Sequence, residues 1–531
     1  MNRFSCAERR PPRATRVQAC APSHGPHPGA RYHPPVRVVF IAAECEPWAK
    51  TGGLADVVDA LARALGRQPG RPVDSPVDVF LPRYRGVPVP DGATRTSLRV
   101  PDPLARAGGT ELSIVDVRGD GYRLRLVDHP PAFDRDGFYG DAGGDFADNA
   151  WRFGLFCRAA LEAIQTEGRA PDVLSLHDWH AAPAVLFRDR FYADDPVIGP
   201  AAALITLHNL AYHGWVPRDD LHQLGLAPAD PVAGPSADGL DLLRAGIERS
   251  ELANTVSPGY AAEALTPEYG MGLEGVLRAK GDRFFGILNG LDTALWDPAT
   301  DAALAAPYSA ADRGGKAGCR SDLLGRVGLD PDDPSPVLGM IGRLDPQKGF
   351  DLLAGAAPDL VDRGARLVVL GTGDARLVAG LRRQATARPD RIALIDRFDR
   401  SLARKIYAGI DLFVMPSRFE PCGQGQMIAL RYGSPPIVRE TGGLRDTIID
   451  ETANPGRGTG FSFGPPTSSA LIDACVGAMS LFEAGGPAWD GLLARGMAVD
   501  FDWTTGSAPR YVEAYRRAMS IRRGRGRGSL I

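Results

Sequence analysis

Lysine is scarce in this chain: of its 61 basic residues only Lys50, Lys280, Lys316, Lys348 and Lys405 are lysines. A lysine inside a glycine-bearing turn is therefore more informative here than usual. The seven cysteines, Cys6, Cys20, Cys45, Cys157, Cys319, Cys422 and Cys475, are scattered, odd in number and without a C-x-x-C pair. That pattern points away from a disulfide framework and from a zinc site, and it fits a reducing cytoplasm. No stretch approaches the uncharged apolar length that a helix needs to cross a bilayer, so no membrane partner is expected. Neither charge sign dominates, the net charge being -3, which gives no reason to expect nucleic acid. There is no G-x-G-x-x-G loop, no Walker loop and no H-E-x-x-H, so a nicotinamide-dependent oxidoreductase, a P-loop ATPase and a zinc hydrolase all lose their signatures. The first 35 residues, rich in Pro, Arg, Gly and His, lack the apolar core of a secretory signal. They are expected to be a disordered tail, or to reflect a start codon chosen too far upstream; scarce serine disfavours a plastid transit peptide.

What the chain does have is alternation. Its 531 residues are too many for one compact core. Short apolar runs at 36–44, 77–81, 111–117, 122–128, 172–177, 202–208 and 284–288 have the length of buried parallel strands, with helical patterns such as 149–164 and 240–250 between them. After a Pro-, Ala- and Asp-rich connector at 297–312 the alternation resumes, with runs at 336–342, 366–370, 391–395, 411–416 and 435–438. The expected fold is α/β: two Rossmann-like doubly wound domains, 36–295 and 296–502, facing a central cleft. A helix over 503–522 is expected to pack back on the first domain, followed by a basic tail at 523–531.

Open α/β sheets bind ligands at the carboxyl ends of their strands. There the second half places Arg343-Leu-Asp-Pro-Gln-Lys348-Gly349 and Ser417-Arg-Phe-Glu420-Pro-Cys422-Gly423-Gln-Gly425-Gln426. Two cations, one acid and glycines that let backbone amides approach an anion describe a pocket for a diphosphate joined to a neutral polyhydroxy group. In the first half Lys50-Thr-Gly52-Gly53-Leu-Ala-Asp56 is a second such approach loop, and Thr441-Gly442-Gly443-Leu444 restates it. Gly371-Thr-Gly373-Asp374 is either a third or only a tight turn. Leu176-His177-Asp178-Trp179-His180, Leu207-His208-Asn209 and Leu288-Asn289-Gly290 end strands of the first half and can converge on one crevice. The paired histidines lack the partner ligands of a metal site and read as a sugar-contacting or hydrogen-bonded turn.

Taken together these stretches, with Thr206-Leu-His-Asn-Leu-Ala-Tyr212 and Asn254-Thr-Val-Ser-Pro258, resemble the bacterial glycogen synthases and plant starch synthases over about residues 36–520. The resemblance implies a retaining glucosyltransferase of the two-domain GT-B type, which moves α-glucosyl units from ADP-glucose to the non-reducing 4-hydroxyl of an α-1,4-glucan without metal or cofactor. It implies that Arg343 and Lys348 neutralise the diphosphate and that Glu420 positions the transferring glucose. His177 would lie beneath the anomeric carbon. Lys50, Gly53 and Asp56 would lie at the phosphate and sugar side. Backbone amides of Cys422 and Gly423 would reach the same sugar. Tyr139, Asp178, Asn209, Asn289, Gly373, Gln426, Thr441, Gly442 and Gly443 complete the expected set. The chain departs from the family pattern at Gln424-Gly425, though Gln426 is kept, and Ile428 stands where related transferases carry a second acid. Since Glu420 is the one carboxylate that offers itself, same-face attack is expected over the double displacement of paired carboxylates about 5 Å apart. A transferase with another acceptor, such as glucose 1-phosphate, and a glucan-binding protein without catalysis are the remaining alternatives.

Overall fold

The computed structural model describes residues 36–67, 77–105, 108–141, 144–233, 236 and 238–528, the last four by backbone alone; the 1–35 tail and residues 529–531 lie outside the described residues. Nine strands build the first sheet: β1 (Val38–Ile41), β2 (Val77–Pro82), β3 (Thr94–Pro101), β4 (Gly109–Arg118), β5 (Tyr122–Asp128), β6 (Val173–His177), β7 (Ala202–Leu207), β8 (Leu252–Thr255) and β9 (Phe284–Gly286). Their order is β9-β8-β7-β6-β1-β2-β5-β4-β3. All pair in parallel except β3 and β4, an antiparallel edge added beyond β5. Six parallel strands build the second sheet: β10 (Val337–Ile341), β11 (Arg366–Leu370), β12 (Ile392–Ile395), β13 (Leu412–Met415), β14 (Pro436–Arg439) and β15 (Phe461–Phe463), in the order β12-β11-β10-β13-β14-β15. Numbered within each half over the parallel strands alone, leaving out β3 and β4, this is 3-2-1-4-5-6, the doubly wound order of nucleotide-binding folds, and the first sheet adds β9 as a seventh parallel strand.

The parallel strands of both sheets lie between helices and are apolar on both faces, whereas the edge strand β3 is largely exposed. In β10 Val337 joins one core, with Val368 and Phe413, while Leu338 and Met340 join the other, with Leu367, Val369 and Leu412. Strand order reverses between β1 and β6 in one lobe and between β10 and β13 in the other. The loops leaving those four strands carry Glu44 to Gly53, His177 to Asp178, Gly342 to Gly349 and Ser417 to Gly425. The topology alone therefore brings the motifs of the sequence to one crevice.

The chain crosses between lobes twice, and the crossings lie side by side: Leu291 pairs with Asp502 in parallel, its N–H donating to the Phe501 carbonyl at 2.7 Å. Gly290 is required there, because a Cβ would lie 2.8 Å from the Trp503 ring. After the second crossing the helix Ala508–Gly528, which runs past residue 522, lays Tyr511 and Tyr515 into the first lobe's core. Among the described residues no helix is long and apolar enough to cross a membrane.

Candidate active site

The second lobe's wall is built on two strand ends locked together. Past β10 the Asp345 carboxylate accepts from the Lys348 N–H at 3.0 Å and closes a short turn. Gly349 follows at φ 72, where an added Cβ would sit 2.2 Å from the Pro416 carbonyl oxygen at the end of β13. Gln347 Nε2 donates to the Phe419 carbonyl at 3.1 Å, and the Arg418 N–H to the Gln347 carbonyl at 2.7 Å. The buried Arg439 guanidinium donates to the Ser417 carbonyl at 2.8 Å. These contacts fix Lys348 Nζ at 2.5 Å from Glu420 Oε2, a carboxylate that also accepts from Ser417 Oγ at 3.1 Å. Arg343 is more than half exposed, with Asp345 3.6 Å away, and remains able to swing onto a ligand. Across the lobe Phe398, three residues beyond the end of β12, is 78% exposed.

The first lobe's wall is organised by Glu44. Its carboxylate accepts from the Thr51 N–H and hydroxyl at 2.6 Å each, from the Gly52 N–H at 3.1 Å and from the Tyr139 hydroxyl at 2.6 Å. Lys50 pairs with Asp56, whose carboxyl burial raises above its ordinary range, and approaches Glu46 at 3.6 Å. Glu46 in turn meets Arg400 of the second lobe at 3.1 Å, an ion pair that bridges the cleft.

At the end of β6 the His177 ring is fully buried, stacked on Phe40 and shared by hydrogen bond with His208 at 2.9 Å. Burial holds both imidazoles neutral, His177 well below its ordinary pKa and His208 at about 3. Ser175 continues the line from His177 at 3.4 Å to the Tyr515 hydroxyl at 3.0 Å, so the last helix supports the cleft floor. Asp178 has φ 57, in the left-handed region that non-glycine residues seldom enter. Its carboxylate is the tether, accepting the His208 N–H at 2.7 Å, and burial pushes its pKa up to about 7.

One cavity of about 1530 Å3 runs between these walls. Of the residues singled out from the sequence, Lys50, Gly53, Asp56, Tyr139, Asp178, Asn209, Asn289, Arg343, Lys348, Glu420, Cys422 and Gly423 line it. Burial raises the Cys422 thiol to about 12, so this residue offers backbone rather than sulfur chemistry. Six others do not line it. His177 lies beneath its floor. Gly373 backs the Arg343 turn, where a Cβ would fall 2.3 Å from the Leu344 carbonyl oxygen. Gln426 is buried and pins the Cys422 carbonyl at 3.0 Å. Thr441 and Gly442 face the first lobe instead, the Thr441 hydroxyl and the Gly442 N–H donating to Glu263 at 3.1 and 2.9 Å, while Gly443 packs behind the site within its own lobe, its N–H donating to the Glu420 carbonyl at 3.0 Å. His208 of the Leu207-His208-Asn209 cluster lines the cavity too, and reading the sequence missed Glu44, Phe398 and Arg400, which also line it. Glu44 and Phe398 each stand just beyond an apolar run, the same signal that drew attention to His177. Among the described residues no group of three or more His, Cys, Asp or Glu is placed to hold a metal ion.

Residues 37–279 match the family model for the starch synthase catalytic domain, and residues 335–480 match that for glycosyl transferases group 1. A glycogen synthase of Syntrophotalea carbinolica is 40% identical over 495 residues, 92% of this chain and 99% of that protein. One from Koribacter versatilis is 41% identical over 493 residues, again 92% of this chain and 99% of its own length. Among solved structures, the catalytic domain of starch synthase IV from Arabidopsis thaliana bound to ADP and acarbose matches with a TM-score of 0.83 and 34% identity, covering 91% of this chain and 99% of that one.

Proposed function

The chain belongs to the glycogen and starch synthase family of glucosyltransferases, and we propose that its donor is ADP-glucose, its acceptor the non-reducing 4-hydroxyl of an α-1,4-glucan, and its stereochemical course retention. The observation that carries this reading is the Lys348–Glu420 pair at 2.5 Å, which lines the same interlobe cleft as Arg343. A diphosphate leaving group gains negative charge as its bond to glucose breaks, and fixed cations stabilise that charge without reorganising. Arg343 and Lys348 are the cations suited to it, Arg343 as a fork and Lys348 as a point charge. Glu420, steadied by Lys348 and Ser417, accepts from hydroxyls of the transferring glucose. That the Arabidopsis domain was solved with ADP supports ADP over UDP as the nucleotide.

Attack on the same face as departure fits the carboxylates of the cleft. Glu44 already accepts four hydrogen bonds, Asp56 is paired with Lys50, and Glu420 is held by Lys348. None of the three is free as a nucleophile, so the departing phosphate oxygen takes the proton of the incoming hydroxyl. The cytoplasm is the compartment we assign, the five described cysteines being free and buried.

The test is radiolabelled ADP-glucose against UDP-glucose, each offered glycogen and glucose 1-phosphate. Label should enter glycogen from ADP-glucose at least about tenfold faster than from UDP-glucose, a difference of some 1.4 kcal/mol at the transition state. Label appearing in glucose 1-phosphate products alone would overturn the acceptor. Phe398 supplies a second check. An exposed ring just beyond β12, flanked by Arg397 and Arg400, is suited to stack on a nucleobase. Phe398→Ala should raise the KM for ADP-glucose about tenfold and leave that for glycogen alone. An unchanged nucleotide KM would remove Phe398 from the site.

A further inference from the structure

The short helix Pro258–Ala264 of the first lobe bonds to both walls of the cleft, although none of its residues lines it. Toward the second lobe it makes three contacts. Ser257, its cap, accepts the Tyr260 N–H at 3.0 Å and donates its hydroxyl to the Pro421 carbonyl at 2.6 Å, so one side chain both closes the helix and holds the residue after Glu420. The Gly259 N–H, left open by the first turn, donates to the Asp446 carboxylate at 2.6 Å. A Cβ at Gly259 would fall 2.4 Å from the Gly442 carbonyl oxygen, so only glycine lets the two backbones meet. One turn further on, the buried Glu263 carboxylate accepts from the Thr441 hydroxyl at 3.1 Å and from the Gly442 N–H at 2.9 Å. Toward its own lobe the same segment holds the loop that carries His208. The Thr255 hydroxyl donates to the Leu207 carbonyl at 2.8 Å, and the buried Tyr260 hydroxyl accepts the Leu210 N–H at 3.4 Å.

Transfer requires the anomeric carbon, held by the second lobe, and the attacking hydroxyl, offered from the first, to meet within about 3.5 Å. The two crossings of the chain tether the lobes, but a tether does not fix the gap between two walls; contacts must. We propose that the helix Pro258–Ala264 is a spacer that sets the distance between the Glu420 segment and the His208 loop, with Glu263 as its positioning residue. This rests on the transferase reading for the reaction it serves. Glu263 lies outside the cleft and acts through Thr441 and Gly442, whose neighbour Gly443 donates its N–H to the Glu420 carbonyl at 3.0 Å. Without the carboxylate, the buried Thr441 hydroxyl and Gly442 N–H lose their acceptor, and the second lobe's wall is free to shift. A shifted wall keeps its donor but presents it to water. The bond from C1 to the diphosphate then breaks as C1 bonds to the water oxygen, the water proton passes to the departing phosphate oxygen, and the products are glucose and ADP.

The experiment follows ADP release and glucose incorporation into glycogen side by side for wild type, Glu263→Ala and Glu263→Gln, with hydrogen exchange on the same full chains. Glu263→Ala should lower kcat for incorporation about thirtyfold while the KM for ADP-glucose stays within about threefold. The ratio of ADP released to glucose incorporated should rise from about one to about three or more, a change that simple loss of folded enzyme does not produce. Glu263→Gln should return incorporation to within about fivefold of wild type and the ratio to about one, since its amide oxygen still accepts the Gly442 N–H and its NH2 can donate to the Thr441 hydroxyl. Amide exchange over 417–425 should quicken about tenfold in Glu263→Ala while β1 and β2 keep the wild-type rate. An unchanged kcat and ratio in Glu263→Ala at a lowered melting temperature make the contact an ordinary brace and overturn the spacer. So does a Glu263→Gln variant as slow as Glu263→Ala with the ratio at one in both, the mark of general loosening. A wild type that incorporates no glucose overturns the transferase reading instead; exchange still decides the spacer, and unchanged rates over 417–425 overturn it.

Discussion

Replacing Lys348 by alanine is expected to lower kcat about a thousandfold while moving the KM for glycogen by less than about twofold. Two effects add. The ammonium meets charge that grows on the leaving diphosphate, and removing one such preorganised donor typically removes some two to three orders of magnitude from turnover. Lys348 also neutralises Glu420, which is only 5% exposed, so its loss leaves a buried carboxylate facing an incoming anion. A double-mutant cycle separates the two. If Lys348 served only to neutralise its partner, Glu420→Gln in the Lys348→Ala background would restore activity. Because the diphosphate itself needs the cation, Lys348→Ala/Glu420→Gln should remain at least about a hundredfold below wild type. Single-turnover rates with saturating ADP-glucose, with the melting temperature as control, make the comparison. A double variant that recovers to within a few-fold of wild type sinks the role of Lys348 at the phosphate.

The sequence shows Lys348 and Glu420 readily because both lie just past buried strands, and in a doubly wound sheet that position faces the ligand whatever else the fold does. The same grammar locates β10 to β14 and the two-lobe plan, and membership of the family bears out that fold class. It fails where a motif's use depends on what lies opposite. Thr51-Gly52-Gly53 and Thr441-Gly442-Gly443 look alike, and each was expected to offer amides to the ligand. Each in fact wraps a glutamate carboxylate: Glu44, through the Thr51 hydroxyl and the amides of Thr51 and Gly52, and Glu263, through the Thr441 hydroxyl and the Gly442 amide. Glu263 comes from the helix Pro258–Ala264 of the other lobe, a partner nearly 180 positions distant. No local pattern announces a contact of that range. His177 is a related case. Its strand-end position was legible, but that its ring turns down onto Phe40 and His208 follows from side-chain packing. Phe398 was passed over although it stands just beyond the apolar run at 391–395, because a single aromatic among arginines matches no charge or glycine pattern that a phosphate pocket requires.

The use of Gly442 at the lobe contact leads to the second large effect. Gly442 has φ 44, and an added Cβ would lie 2.0 Å from the Glu420 carbonyl oxygen. The obstacle is backbone, so it cannot rotate aside; it must carry Glu420 with it. Gly443 beside it leaves no slack, since a Cβ there would lie 2.4 Å from the Cys422 carbonyl oxygen. Gly442→Ala should therefore displace the Glu420 carboxylate from the 2.5 Å contact with Lys348, and a misplacement on the order of 1 Å lowers turnover about a hundredfold. It also loosens Glu263, whose carboxylate accepts the Gly442 N–H, so the melting temperature falls too. Lost activity and lost stability must be told apart. Gly456 supplies the means: it holds φ 75 with nothing within 4 Å of its would-be Cβ. Gly456→Ala carries the left-handed strain of roughly 1 kcal/mol without the collision. If strain alone mattered the two variants would lose activity in proportion to their melting temperatures. If the packing behind Glu420 sets its position, Gly456→Ala keeps wild-type kcat at a lowered melting temperature, while Gly442→Ala loses kcat well below the temperature at which it unfolds. Equal kcat in the two variants at 25 °C would remove the link between the lobe contact and the catalytic carboxylate.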